Sequence, residues 1–162
     1  MLHVLTGEEL NVKKRLERSA PHIQTLIPRR KLMERRQGSF KEVTRLLFPG
    51  YVFVYTVLDH ESYYKLVDQY GVIRILGRPD PCPVPLQEMA HVLKWCEESE
   101  LVGMSRVQDG EKVTVIDGPL KNMEGQIVRV DRRKGRARVR ITLFGEPKEI
   151  DFGIDILDKA PE

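Results

Sequence analysis

Cysteine is scarce in this 162-residue chain: Cys82 and Cys96 are the only two. Two thiols are too few for a disulfide framework or for a thiolate zinc site. The four histidines, His3, His22, His60 and His91, show no ligand spacing with one another or with the cysteines, so no metal and no other cofactor is expected. Long apolar runs are absent as well, and none approaches the ~20 residues of a membrane span. The first residues, Met1 to Leu5, are not a charged leader followed by a long apolar region, so a cytoplasmic location is expected. There is no glycine-rich phosphate loop and no nucleophile with a plausible base, and Glu97-Glu98 reads as solvated charge at a helix end. No enzyme is expected.

Net charge is only +3, but it is unevenly spread. Residues 129–140 hold seven cations (Arg129, Arg132, Arg133, Lys134, Arg136, Arg138, Arg140) against the single anion Asp131. Beyond Arg140 the balance reverses: Glu146, Glu149, Asp151, Asp155, Asp158 and Glu162 outnumber Lys148 and Lys159. A second basic run covers residues 29–45, where Arg29, Arg30, Lys31, Arg35, Arg36, Lys41 and Arg45 face only Glu34 and Glu42. Charge runs are often solvated faces, yet two this dense raise the prospect of nucleic acid.

The chain is organised around residues 46–55, Leu-Leu-Phe-Pro-Gly-Tyr-Val-Phe-Val-Tyr, none of them charged. β-Branched and aromatic residues dominate a stretch too short for a helix with Pro-Gly inside it, which predicts a central strand. Proline lacks the N–H and glycine weakens pairing, so Pro49-Gly50 marks a kink or bulge that aims Phe48 and Tyr51. Two readings of Phe48 stay open: a rigid interface anchor or a plug in the domain core.

Upstream, a short strand at 2–5 precedes a helix that Thr6 can cap and whose positive end Glu8-Glu9 can face. That helix stops before Pro21. A strand at 23–28 and a basic hairpin over 29–43 follow. Downstream, residues 59–69 fit a helix ended by Gly71, 72–76 a strand, and 77–85, with four prolines, an extended loop. Residues 86–98 keep helical spacing. The fold class expected is therefore α+β: an N-terminal domain over 1–98, an antiparallel sheet flanked by helices, then a linker over 99–107. From 108 to 162 short alternating strands and turn residues (Asp117-Gly118-Pro119, Lys134-Gly135, Gly145-Glu146-Pro147) predict a small all-β barrel. Its Val- and Ile-rich pattern argues for a constitutive barrel.

On residues 136–141 alternation puts Ala137, Val139 and Ile141 inward and Arg136, Arg138 and Arg140 outward, about 6.8 Å apart at a rise of about 3.4 Å per residue. With Arg129 on the adjacent strand and Arg132, Arg133 and Lys134 in the turn, the expectation is a basic ridge. Such a ridge can follow a phosphate backbone, and arginine also offers bidentate contacts to guanine edges.

Two sets of residues carry a family resemblance. Thr6-Gly7-Glu8, Phe48-Pro49-Gly50-Tyr51-Val52, Gly71-Val72 and Pro83-Val84-Pro85-Leu86 resemble the N-terminal (NGN) domain of the NusG transcription-factor family. Residues 110–120 and 124–131, with Leu143-Phe144-Gly145, resemble its KOW domain, an SH3-like barrel. In this order and spacing they cover nearly the whole chain. The resemblance implies a monomeric factor that docks on the clamp helices of bacterial RNA polymerase and suppresses pausing and termination. Phe48, Pro49 and Tyr51 match the docking motif, and Leu86 matches the apolar position after the proline-rich loop. In housekeeping members the barrel engages Rho or the ribosomal protein NusE near the segment matching Leu143-Phe144-Gly145, commonly followed by Arg; here Glu146 stands. With the basic ridge, this is most similar to LoaP-type paralogs, whose KOW domain is associated with a leader RNA hairpin. The RNA-binding residues implied are Arg129, Arg132, Arg133, Lys134, Arg136, Arg138 and Arg140. A housekeeping elongation factor is the alternative, and the 29–45 run is a candidate for non-template DNA.

Overall fold

The computed structural model describes residues 1–157; Asp158, Lys159 and Glu162 of the acidic run lie outside the described residues. In chain order come β1 (Leu2–Val4), α1 (Glu9–Ser19), β2 (Gln24–Leu26), β3 (Arg29–Arg36), β4 (Ser39–Leu46) and β5 (Tyr51–Tyr55). Then follow α2 (His60–Val67), β6 (Val72–Ile75), α3 (Leu86–Trp95), β7 (Leu101–Val102), β8 (Ser105–Gln108) and β9 (Thr114–Asp117). A 3₁₀ turn (Glu124–Gln126) leads into β10 (Ile127–Asp131), β11 (Arg136–Leu143) and β12 (Glu146–Leu157). The architecture is α+β, and the chain forms two compact units.

The first unit comprises Met1–Ile27 and Leu46–Pro85. Its four-stranded sheet runs β2-β5-β1-β6, so β5 is an interior strand, as its uncharged sequence predicts. Val12 and Leu16 on α1 and Leu66 on α2 close over Leu2, Val4 and Val52 of the sheet, with Ile23 and Ile27 completing the core. Helix α1 ends at Ser19, short of Pro21. Thr6 does not cap it. Glu8 takes that position, with no side-chain cap bond. Asp59 does cap α2, accepting the Ser62 N–H at 2.8 Å, and that hydrogen bond holds its carboxyl below the usual range.

The second unit comprises Pro28–Arg45 and the chain from Leu86 onward. Five strands form a sheet in the order β10-β11-β12-β8-β9, the small all-β module, and β4-β3-β7 form a second sheet. Residues 99–107, expected as a linker, instead carry β7 and most of β8. The basic hairpin forms as β3 and β4, yet groups with the barrel strands, as does α3. The reason is packing at long range. Val92 and Trp95 are the buried residues of α3, and the Trp95 ring lies 4.7 Å from that of Phe152 while its Nε1–H donates to Met123 Sδ at 3.3 Å. Spacing within a helix shows which face is apolar but not what covers it. At Gly153 on β12 a Cβ would lie 2.4 Å from the Lys31 carbonyl oxygen, so only glycine admits β3 this close to β12.

Candidate functional site

The kink before β5 is built from two directions. Gly50 takes φ +85°, a left-handed value that glycine adopts without strain. Its N–H donates to Glu9 Oε1 at 2.8 Å, while Glu9 Oε2 accepts the Gly7 N–H at 2.9 Å. Glu9 is only 2% exposed, so a buried carboxylate ties the start of α1 to the Pro49-Gly50 turn. The sequence read Glu9 as a charge at the helix end; its deeper role is to hold the kink. A hydrophobic core residue is usual at a position this buried, and a carboxylate there demands hydrogen-bond partners. Here they are two backbone N–H groups.

That turn presents its neighbours unequally. Phe48 does not project: it is 7% exposed and meets Phe53 edge to face at 5.4 Å, so the core-plug reading describes its position. Tyr51 is half-buried and stacks on His3 at 5.2 Å; Pro49 is exposed. Leu86, 80% exposed, opens α3 and belongs to the second unit, whereas Phe48, Pro49 and Tyr51 belong to the first.

The β11 alternation is as expected: Ala137, Val139 and Ile141 are buried and the three arginines face outward. The free ridge is not. β11 pairs with β12 so that Arg138 stands opposite Asp151 and Arg140 opposite Glu149. Arg138 Nε donates to Asp151 Oδ1 at 2.9 Å, and Arg140 NH2 reaches Glu149 Oε1 at 2.7 Å. The Arg138 hydrogen bond, seconded by its charge, holds the Asp151 carboxyl below the usual range. Arg132 pairs with Asp109. Arg136 stands opposite Gly153, which offers no side chain, and its NH2 lies 4.0 Å from Glu34 on β3. The acidic stretch beyond Arg140 thus supplies the neighbouring strand, and cross-strand pairing turns Arg138 and Arg140 of the ridge into ion pairs. Arg129, Arg133 and Lys134 form no ion pair among the described residues, and all three are exposed around the β10–β11 turn. Asp131 shapes that turn by accepting the Lys134 N–H at 3.0 Å.

A signal for this ladder exists in the sequence. Once Phe144-Gly145 is taken as the turn, with φ of +50° and +74°, antiparallel register sets Arg140 against Glu149 and Arg138 against Asp151. For Glu9 and Glu34 there is no comparable local signal.

The NusG family model, described as transcription termination factor NusG, matches residues 1–93, and the KOW motif matches residues 110–144. The chain belongs to the NusG family. The transcription termination/antitermination protein NusG of Thermus thermophilus is 30% identical, the match covering 93% of each chain. The protein of the same name from Chlamydia trachomatis is also 30% identical, over 93% of this chain and 88% of its own. That of Staphylococcus carnosus is 27% identical, over 98% and 93% respectively. These matches to transcription termination/antitermination proteins span both the β5 kink and the β10–β12 strands. Among the described residues no helix is long and apolar enough to cross a membrane.

Proposed function

We propose that this NusG-family chain is a cytoplasmic antitermination and elongation factor with two working parts. The first unit binds the clamp helices of RNA polymerase, with Pro49 and Tyr51 presented by the pinned kink and Phe48 holding that turn from the core side. Residues 108–162 bring the factor to its transcripts by binding a leader RNA hairpin, as in LoaP-type paralogs. The observation that carries the RNA reading is the set Arg133 and Lys134 in the β10–β11 turn and Arg129 on β10, all exposed and without ion pairs among the described residues. Arg132, Arg138 and Arg140 contribute second, because a phosphate must first compete with Asp109, Asp151 or Glu149. Ion pairs at or near the surface are screened by solvent and hold their partners weakly, so that competition is not prohibitive.

The pairing of Arg138 and Arg140 favours one second reading, a housekeeping factor whose barrel recruits Rho or a ribosomal protein. In vitro transcription through a terminator, with and without an upstream leader hairpin, separates the two. Readthrough that depends on the hairpin, and is lost in Arg133→Ala/Lys134→Ala, supports RNA recruitment. Readthrough indifferent to the hairpin and to those substitutions refutes it.

A further inference from the structure

The two basic runs, read from the sequence as separate, meet in the second unit. Glu34 on β3 accepts from Arg45 on β4 through Nε and NH2 at 3.1 and 2.9 Å and from Arg36 at 3.4 Å, with Arg136 of β11 4.0 Å away. Three guanidinium groups therefore share one carboxylate. Asp151 is in a similar position, hydrogen-bonded to Arg138 and also within the fields of Arg136 and Arg30. Beside them is a cavity of about 80 Å³, lined by Arg129, Lys134, Arg136 and Arg138 and by Asp131 and Asp151. One of its lining residues carries an unfilled donor: Arg136 Nε is buried and has no hydrogen-bond partner. Water could enter a polar space of this size, but water cannot balance the charge. Four cations line it against two carboxylates, and Arg36 and Arg45 stand on the hairpin beyond.

We infer that this junction is a phosphate seat for an RNA backbone: Arg136 holds one phosphate, Arg129 and Lys134 close over it, and Arg36 and Arg45 carry the strand onto the β3–β4 hairpin. The inference rests on the RNA reading above and extends it, because it makes the hairpin part of the binding surface. Arginine suits the task, since its planar fork can grip phosphate through two N–H groups where lysine offers a point charge.

The test uses the full chain and a mixed-sequence 20-nucleotide RNA hairpin as probe, with affinity measured across a salt series. Each phosphate contact contributes a slope of about 0.7–0.9 in log K against log salt. Arg136→Gln is expected to lower the slope by about one, and Arg36→Gln/Arg45→Gln by up to about two, with roughly tenfold weaker binding at moderate salt. Glu34→Gln is expected to tighten binding about threefold by releasing its three arginines, a gain that misfolding cannot mimic. Inorganic phosphate exchanged for chloride at fixed ionic strength is expected to raise the Tm of the native chain and not that of Arg136→Gln. If the Arg136, hairpin and Glu34 variants all bind as the native chain does while Arg133→Ala/Lys134→Ala weakens, the seat is overturned and the RNA reading stands. If the native chain binds no RNA, both fall.

Discussion

Glu9 offers the sharpest perturbation because its two oxygens do separate jobs. Glu9→Gln conserves volume but leaves one acceptor; the amide nitrogen then faces an N–H, donor against donor, at either Gly7 or Gly50. Both existing bonds are short, 2.9 and 2.8 Å, and the Gly50 bond is buried. A hydrogen bond to a charged group contributes about 1.5–3 kcal/mol, and an orphaned buried donor costs about 1–3 kcal/mol, so a loss of about 2–3 kcal/mol follows. For a chain of this size that lowers Tm by about 4–12 °C. Far-UV circular dichroism is the appropriate melt. Trp95, the single tryptophan, lies in the second unit and does not report locally on the kink. The Gly50 amide should also exchange faster, which places the damage at the turn. Glu8→Gln is the control: Glu8 meets Arg15 at 3.2 Å on the surface, and such pairs contribute about 0–1 kcal/mol. If Glu9→Gln melts within about 1 °C of the native chain, well inside the expected shift, and Gly50 keeps its protection, the carboxylate does not hold the kink.

Other substitutions probe the second unit. Gly153→Ala would drive a methyl into the Lys31 carbonyl, and overpacking of this kind costs about 1–3 kcal/mol, read as a lower urea midpoint by Trp95 fluorescence. Burial, aided by Glu100, pushes the Cys96 thiol up to about 11, so iodoacetamide at mildly alkaline pH should modify Cys96 about tenfold or more slowly in the folded chain than in urea. Asp151 titrates below its ordinary range because Arg138 hydrogen-bonds it, so its stabilisation is present above the unfolded carboxylate pKa and lost as pH falls through the folded value. Urea midpoints at neutral and acidic pH should therefore differ less in Arg138→Ala than in the native chain; an equal difference would show that the pair is idle.

Local grammar made most elements legible. Pro21 ended α1, residues 59–69 held α2, and the basic hairpin expected over 29–43 formed, turning at Gln37-Gly38, both at positive φ. What local grammar cannot express is partnership across distance. The helical spacing of α3 was visible, but the burial of Trp95 was not, because Phe152 and Met123, which cover it, lie far along the chain. Phe48 shows the same limit from the other side: an aromatic beside a Pro-Gly turn can face outward or inward, and only the position of Phe53 decides it. The candidate site suffered most. Alternation gave the outward face of β11 correctly and was silent about the acids that β12 would set opposite it.

One close approach explains why that neutralisation stops at Arg136. β12 supplies an acid opposite Arg138 and another opposite Arg140, but opposite Arg136 it must supply glycine, because any side chain there would strike the Lys31 carbonyl of β3. The contact that brings the hairpin to the barrel thus removes the cross-strand partner from one arginine of the row. β3 returns only Glu34, already engaged by Arg36 and Arg45. Sheet geometry therefore both brings the two basic runs together and leaves them short of negative charge. Self-repulsion among guanidinium groups held in this way disfavours the compact state unless a polyanion relieves it.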